Sequence, residues 1–189
     1  MSQEPQRDRI RILLVSGWAG SGKDAVAAAV TGYRRVAFAD PLKCHVAAIA
    51  GLLVSVFHDR AAKDRTLYRP CPSYPTARTP RDILLQHAAA ARAIDPDVYA
   101  REIADEIRGR PDVRRWVISD WRYRREAMFL RSALPSEAGY DIIRVRVVRP
   151  GVVPSADETE HDLDDERMDH ILQNTGTLDE LQSKCNHIL

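Results

Sequence analysis

Length, composition and charge exclude several classes of protein: the chain has 189 residues, of which 44% are hydrophobic and 29% charged, as in one globular domain and not in a disordered chain. Its formal charge of +1 favours no particular partner, and only four of its 28 basic residues are lysines. The three cysteines show no metal or disulfide spacing, no apolar run has membrane-spanning length, and residues 1–9 lack the apolar core of a signal peptide, so we expect a cytoplasmic protein.

The first predicted element is a buried strand over residues 10–15, which leads into a glycine-rich turn and then an alanine-rich helix. The turn matches G-x-x-x-x-G-K from Gly17 to Lys23, the pattern of a phosphate-binding loop. Glycines let backbone N–H groups point at a polyphosphate, and the lysine neutralises its outer phosphates. The residues predicted to bind the nucleotide here are Gly17, Trp18, Ala19, Gly20, Ser21, Gly22, Lys23, Asp24 and Ala25.

Asp24 stands where such loops carry Ser or Thr. A Ser or Thr hydroxyl would bind Mg²⁺ beside the phosphates, and a carboxylate is also an oxygen ligand that Mg²⁺ accepts. Asp24 is therefore a candidate metal ligand. The alternative is that its charge only favours the start of a helix.

Beyond the loop, strands and helices are predicted to alternate. The predicted strands cover residues 35–39, 114–120, 141–148 and 170–173. The predicted helices cover residues 42–57, largely buried, and 79–91, 98–107, 123–133 and 177–185. Asp40 is expected to cap the first of these helices and Thr79 the second. We interpret 58–78 as a surface loop and the strongly acidic stretch 152–168 as a solvated excursion.

Such alternation favours an α/β fold, with a parallel sheet covered by helices on both faces. Ligands of these sheets gather at the carboxyl ends of the strands. Asp24, Asp40, Asp120 and Arg149 all lie at or just beyond such ends. We expect their side chains to converge.

Seven segments follow one another in an order that resembles the bacteriophage deoxynucleoside monophosphate kinases, which are P-loop kinases. They are GWAGSGKD, FADPLK, TPRDILLQ, SDWRYRREA, VVRPG, TEHDL and NTGTLDEL. The resemblance covers nearly all of the chain from Ile10 to Leu189. It implies a P-loop NTPase fold of the nucleoside-monophosphate-kinase type, a single domain over 1–189 that uses ATP and Mg²⁺. It also implies an acceptor-binding region over about 41–110 and a mobile lid over about 150–168.

The resemblance implies roles for residues on the ATP side. Asp120 would bind Mg²⁺ through water or orient the acceptor as a base, and Arg122 would stabilise the transferred phosphoryl group. Arg149 would meet the ATP phosphates from the lid side. Asn174 and Gly176 match the turn that cups the adenine base.

On the acceptor side, the resemblance places Lys43 where an acceptor phosphate or the transferring group is held. Asp40 is a further substrate-side residue, with the alternative that it only caps a helix. Arg81 and Gln86 match the helix that lines the acceptor pocket. Thr159-Glu160-His161 resembles a Ser-Glu-His of the lid.

Two departures from the family leave the metal and the acceptor open. Ala25 stands where the family usually has Thr, so Asp24 would have to contribute more to binding the metal ion. His87–Ala90 replace a segment that often has glycine. The first expectation is therefore a kinase that converts a free deoxynucleoside monophosphate to the diphosphate, with a homodimer left open. The alternatives are a kinase acting on a 5-hydroxymethylpyrimidine within phage DNA, or a non-catalytic nucleotide-binding switch.

Some aromatic and histidine residues have no assigned chemistry. Trp18 is either a packing residue or one that stacks on a base, and the sequence does not decide. The histidines, His45 and His87 among them, show no metal-ligand spacing.

Overall fold

The computed structural model describes residues 9–154 and 161–188. Thr159 and Glu160, assigned above to the lid, lie outside the described residues. The chain forms two compact units. The sheet unit comprises the chain up to Ala37 and from Ile103 onward, and the helical unit comprises Phe38–Glu102. Among the residues described, no helix combines the length and apolar character needed to cross a membrane.

Five parallel strands form the sheet. They are β1 (Ile10–Ser16), β2 (Arg34–Val36), β3 (Arg115–Ile118), β4 (Tyr140–Val148) and β5 (His170–Gln173). Their order is β2-β3-β1-β4-β5, and each neighbouring pair is parallel. β1 is therefore central, which explains why its run of apolar residues is buried along nearly its whole length.

Helices cover both faces of the sheet. The helices described are α1 (Lys23–Ala29), α2 (Ala39–Ala50), α3 (Val54–His58), α4 (Arg60–Lys63), α5 (Pro80–Ile94), α6 (Val98–Arg108), α7 (Arg124–Ala133) and α8 (Leu178–Ile188). Side chains of α1 and α8 form one apolar cluster with Leu13 and Val15 of β1. Ile12 and Leu14 alternate with them and are fully buried on the other face. The predicted α/β fold with a parallel, helix-flanked sheet is confirmed.

The prediction of one buried helix over 42–57 was wrong. The chain forms α2 and α3 instead, because Gly51 adopts a left-handed conformation, with φ of 64°, that ends α2. Leu53, expected in the interior of the single helix, is 75% exposed. The helix α4 also lies inside the stretch 58–78 that was interpreted as a loop.

The two predicted helix caps had different outcomes. Thr79 caps α5 as expected, and its hydroxyl accepts a hydrogen bond from the backbone N–H of Asp82 at 3.1 Å. The prediction that Asp40 caps a helix was wrong. Asp40 lies inside the first turn of α2, whose cap position is Phe38, and its carboxylate instead accepts a hydrogen bond from Lys43 Nζ at 2.9 Å.

Candidate functional site

The glycine-rich loop between β1 and α1 has a backbone that only glycine fits. Gly17, Gly20 and Gly22 have φ of 145°, 82° and 101°. A Cβ atom on Gly17 would lie 2.5 Å from the carbonyl oxygen of Val147 and 2.6 Å from Ser21 Oγ. A Cβ atom on Gly22 would collide with the side-chain amide of Asn174. Gly17 and Gly22 are thus required by close packing as well as by backbone conformation, and Gly20 by backbone conformation alone.

Lys23 closes the loop on itself. Its Nζ donates hydrogen bonds to the carbonyl oxygens of Gly17 at 2.5 Å and Trp18 at 2.9 Å. The hydroxyls of Ser16 and Ser21 are buried and have no hydrogen-bond partner among the described residues. Buried polar groups are rarely left unpaired. The loop therefore offers an ammonium group and two unused hydroxyls, which suits a polyphosphate.

A small cavity of about 20 Å³ lies at the mouth of this loop. It is lined by Ser16, Gly17, Trp18, Lys23, Trp121, Arg122, Arg146 and Leu163. Lys23, Arg122 and Arg146 bring three positive charges to it, and none of the described residues that line it is acidic. Such a group of cations favours the binding of an anion.

The residues after β3 divide between the cavity and the core. Arg122 is exposed and lines the cavity, and its role toward the transferred phosphoryl group stays a prediction. Trp121 is 1% exposed, and its Nε1 donates to the carbonyl oxygen of Tyr123 at 2.8 Å. Trp121 is therefore a packing residue that forms one wall. Asp120 is half-buried in the turn beyond β3 and does not line the cavity.

Arg146 was missed by the sequence analysis. It lies beside Ser16 in the register of β4 with β1, and its guanidinium lies 5.5 Å from the centre of the Trp18 ring. The available signal was a pair of arginines, Arg144 and Arg146, inside an otherwise apolar strand, because an arginine in a buried strand needs a partner. Its partner was not predictable, because it comes from another part of the chain.

The acidic stretch supplies that partner. Arg146 donates to the carbonyl oxygen of Leu163 at 2.8 Å and to Asp164 Oδ1 at 2.6 Å. Arg144 binds Asp169 and Glu166, each at 2.9 Å. Asp164 and Glu166, in the stretch predicted to be a solvated excursion, are therefore ion-paired with arginines of β4, although Asp164 stays exposed. Hydrogen bonds from Arg146 and then from His161 hold the pKa of Asp164 below its usual value.

Asp24 lies on the outside of the loop. Its side chain is 83% exposed, and its carboxylate accepts a hydrogen bond from Arg35 at 2.7 Å. No group of three or more His, Cys, Asp or Glu side chains among the described residues is arranged to hold a metal ion. Mg²⁺ on a nucleotide needs only one or two carboxylates in addition to phosphates and water. Asp24 fits that requirement, and its role as a metal ligand, like that of Asp120, stays a prediction.

We expect Asp24→Asn to raise the Mg²⁺ concentration for half-maximal activity by about tenfold, since a neutral amide oxygen is a poorer ligand for a hard cation. The matched control is Arg35→Gln, which removes the partner of Asp24 but keeps the carboxylate. It should keep the Mg²⁺ dependence of the wild type. Equal shifts in both variants would show that Asp24 acts through Arg35, and no shift in Asp24→Asn would leave it as a helix-terminus charge.

The remaining predicted ATP-side residues lie around the loop. Asn174 Nδ2 donates to the carbonyl oxygen of Ser21 at 2.8 Å, so Asn174 supports the phosphate loop directly. Gly176 lies in the turn before α8, where an added Cβ atom would collide with the carboxylate of Glu180. Arg149 is exposed just beyond β4 and does not line the cavity. The adenine-binding role of Asn174 and Gly176 and the phosphate-binding role of Arg149 stay predictions.

The predicted acceptor-side residues all lie in the helical unit, where each has a polar partner. Besides the Lys43–Asp40 pair, Arg81 makes a two-point contact with Asp64 at 2.5 and 3.2 Å. Gln86 accepts a hydrogen bond from Thr76 at 3.2 Å. These partners show how the side chains are held and do not test their role toward an acceptor.

Lys63 joins this group and was not predicted. It ends α4, which packs against α5, the helix that carries Arg81. Partial burial, the charge of Arg81 and the charge of Lys43 lower the pKa of Lys63, in that order of size. Lys43 on α2 and Arg81 on α5 are thus near enough to Lys63 on α4 for their charges to lower its pKa, and these three residues are called the cationic cluster below.

A second group in the helical unit contains two histidines to which the sequence assigned no chemistry. Tyr74 Oη lies 2.7 Å from His87 Nδ1, and the rings of His45 and His87 meet edge to face with centres 6.1 Å apart. His45 Nε2 lies 3.4 Å from Glu102 Oε2. Burial and then the neighbouring His45 lower the pKa of His87. Only tertiary contacts create this group, so sequence spacing could not reveal it.

The lowered pKa of His87 makes stability depend on pH. In the unfolded chain His87 gains a proton at a higher pH than in the fold, so the free energy of unfolding falls as the pH drops from about 7.5 to about 5.5. His87→Gln should flatten this dependence, whereas His58→Gln, at an exposed site, should keep it. Denaturant unfolding at both pH values measures it. If the free energy of unfolding of His87→Gln depends on pH as steeply as that of the wild type, the dependence does not come from His87.

No family model matches the chain, and no curated protein matches it. Solved structures of low similarity include the APS kinase of Mycobacterium tuberculosis, at 15% identity and a TM-score of 0.44, covering 95% of this chain and 96% of that one. A sugar kinase from Janibacter sp. HTCC2649 is 13% identical with a TM-score of 0.44, covering 94% and 92%. A gluconokinase from Sinorhizobium meliloti 1021 is 14% identical with a TM-score of 0.40, covering 96% and 93%. At these values the fold assignment rests on the sheet order and the loop themselves.

Proposed function

We propose that this chain is an ATP- and Mg²⁺-dependent kinase that transfers the γ-phosphate of ATP to a deoxynucleoside monophosphate, giving the diphosphate. The observation that carries the proposal is the loop cavity. There, Lys23, Arg122 and Arg146 face a glycine-rich turn whose serine hydroxyls have no partner in the described part of the chain. A triphosphate is the ligand that uses all of these groups at once.

The proposed reaction needs positioning and charge stabilisation more than covalent help from the protein. An oxygen of the acceptor attacks the γ-phosphorus. The bond from that phosphorus to the oxygen bridging it to the β-phosphate breaks, and ADP leaves with the electron pair. Lys23 and the loop N–H groups would hold the β- and γ-phosphates, and Arg122 would stabilise the charge on the phosphoryl group. Mg²⁺, for which Asp24 and Asp120 are the proposed carboxylates, would neutralise part of the phosphate charge.

The cationic cluster of the helical unit supports an acceptor that carries a phosphate. Lys43, Lys63 and Arg81 bring three positive charges together, and Asp40 and Asp64 neutralise only two of them. A monophosphate is a dianion near neutral pH, so it matches such a cluster. Its oxygens are already ionised, and this acceptor therefore requires no general base. We propose that Gln86 on the same helix contacts the nucleoside part of the acceptor.

A second candidate acceptor is a 5-hydroxymethylpyrimidine within DNA, and one surface feature favours it. Tyr68 is 95% exposed, Arg69 lies 5.9 Å from its ring centre, and Arg65 is exposed nearby in the sequence. Exposed aromatic rings among arginines are typical of surfaces that bind single strands and flipped bases. A hydroxyl acceptor must also lose a proton, and Asp120 or Asp40 is then the candidate base.

The acceptor test uses ATP labelled in the γ-phosphate with either deoxynucleoside monophosphates or hydroxymethylpyrimidine DNA, each at low and high salt. We expect label in a nucleoside diphosphate. Lys63→Gln should raise KM for the monophosphate, and Tyr68→Ala should leave it unchanged. Label only in DNA, with binding that weakens as salt rises and is lost in Tyr68→Ala, would favour the second candidate. ATP turnover that labels neither acceptor would favour the nucleotide-binding switch.

A further inference from the structure

The Arg146 guanidinium lies between the loop cavity and the acidic stretch, and it contacts both. Its side chain is only 13% exposed and is held by the Leu163 carbonyl, by Asp164 and by the face of Trp18. Its neighbours Val145 and Val147 belong to the apolar cluster with α1 and α8, so alternation along β4 directs Arg146 to the opposite face. That face, at the level of Ser16, is the mouth of the phosphate loop.

Two of the residues that contact the Arg146 guanidinium, Trp18 and Leu163, also line the cavity. Leu163 is buried and lines the cavity, and it lies next to Asp164 in the chain. Further contacts fasten the same stretch, since the backbone N–H and Nε of Arg124 donate to Asp162 at 2.7 and 2.6 Å. A cavity of about 20 Å³ holds roughly one water molecule. A triphosphate is larger than this, and Leu163 lies beside the space that its phosphates would enter.

We propose that Arg146 is a further phosphate-binding residue, and that the carboxylate of Asp164 occupies its guanidinium in place of a phosphate until nucleotide binds. This inference rests on the proposed function. A carboxylate and a phosphate oxygen both accept charge-assisted hydrogen bonds from the same arginine fork, so one can replace the other. Displacing Asp164 frees Arg146 for the phosphates and releases Leu163 from the cavity. We call the Arg146–Asp164 ion pair the clasp. Its carboxylate competes with the phosphates of ATP for the Arg146 guanidinium.

The test measures binding of ATP and of inorganic tripolyphosphate by calorimetry in the intact chain. Removing the competing charge in Asp164→Asn should lower Kd for both ligands about three- to tenfold, the scale of a partly exposed ion pair. Arg146→Ala should raise Kd about tenfold or more, because charge-assisted hydrogen bonds are lost. In the double variant, adding Asp164→Asn to Arg146→Ala should not change Kd any further.

Asp165→Asn is the matched control. It removes the same charge one residue away. The Asp165 side chain is 96% exposed and lies 3.9 Å from the Arg124 guanidinium. Its Kd should stay within about twofold of the wild type, as expected for an exposed, screened charge. Asp164→Ala repeats the test without the amide, and thermal unfolding confirms that each variant is folded.

The outcomes separate the clasp from the proposed function. Unchanged or weaker binding in Asp164→Asn would overturn the clasp, and so would a gain in affinity that persists in the Arg146→Ala background. Tighter tripolyphosphate binding that depends on Arg146, without phosphoryl transfer to any acceptor, would keep the clasp and refute the kinase. Phosphoryl transfer with no effect of Asp164 on binding would keep the kinase and refute the clasp.

Discussion

Replacing Lys23 by alanine is expected to lower turnover by about a thousandfold or more, the scale at which loss of one strong charge contact to a transferring phosphoryl group is felt. The ammonium group donates hydrogen bonds to two backbone carbonyls of the loop. Lys23 also lines the cavity, together with Arg122 and Arg146. Steady-state turnover at saturating ATP is the measurement.

Two checks accompany the Lys23 variant. Thermal unfolding should change by only a few degrees, because the lost hydrogen bonds are partly exposed and each contributes about 1 kcal/mol. Lys23→Arg keeps the charge but should also be strongly impaired, since a planar guanidinium does not fit a site built for a compact ammonium. A folded Lys23→Ala protein with near-normal turnover would refute the phosphate-loop assignment.

The largest expected effect on stability is that of Trp121→Ala. The Trp121 side chain is 1% exposed and its Nε1 is hydrogen-bonded, so truncation removes a large buried surface and leaves a cavity. Such losses cost about 3–5 kcal/mol. Denaturant unfolding of the variant measures the change in the free energy of unfolding.

Trp18→Ala is the matched control for Trp121. The Trp18 ring is only half-buried and carries the Arg146 guanidinium on its face, so its removal should cost less stability and should weaken ATP binding. A Trp121→Ala protein as stable as the wild type, with only KM raised, would show that Trp121 contacts a ligand.

Local features were predictable from sequence. The loop from Gly17 to Lys23 combines a buried strand, glycines with positive φ and a lysine within one short stretch, and each of these is readable from neighbouring residues. The capping box at Thr79 and Asp82 is equally local. The alternation of strands and helices was enough to predict a parallel sheet. The break of the helix at Gly51 was also readable, since a glycine often ends a helix.

Long-range features were not predictable. Arg146 becomes part of the loop cavity because β4 lies beside β1, and Lys63 joins Lys43 and Arg81 because three helices meet. The contact between His45 and His87 likewise joins residues far apart in the chain. The acidic stretch looked solvated because its partners, Arg144 and Arg146, lie on a strand that precedes it. Pairings of this kind depend on the fold and leave no spacing in the sequence.

The proposed function requires that the loop at Lys23 direct the γ-phosphate of ATP to an acceptor and not to water. Its most direct test is a single-turnover reaction with γ-labelled ATP, Mg²⁺ and a deoxynucleoside monophosphate, in which ADP and labelled products are counted together. We predict that label appears in the nucleoside diphosphate in step with ADP, and that neither forms with Lys23→Ala. ADP accompanied only by inorganic phosphate, or no ADP with any acceptor, would contradict the proposed function.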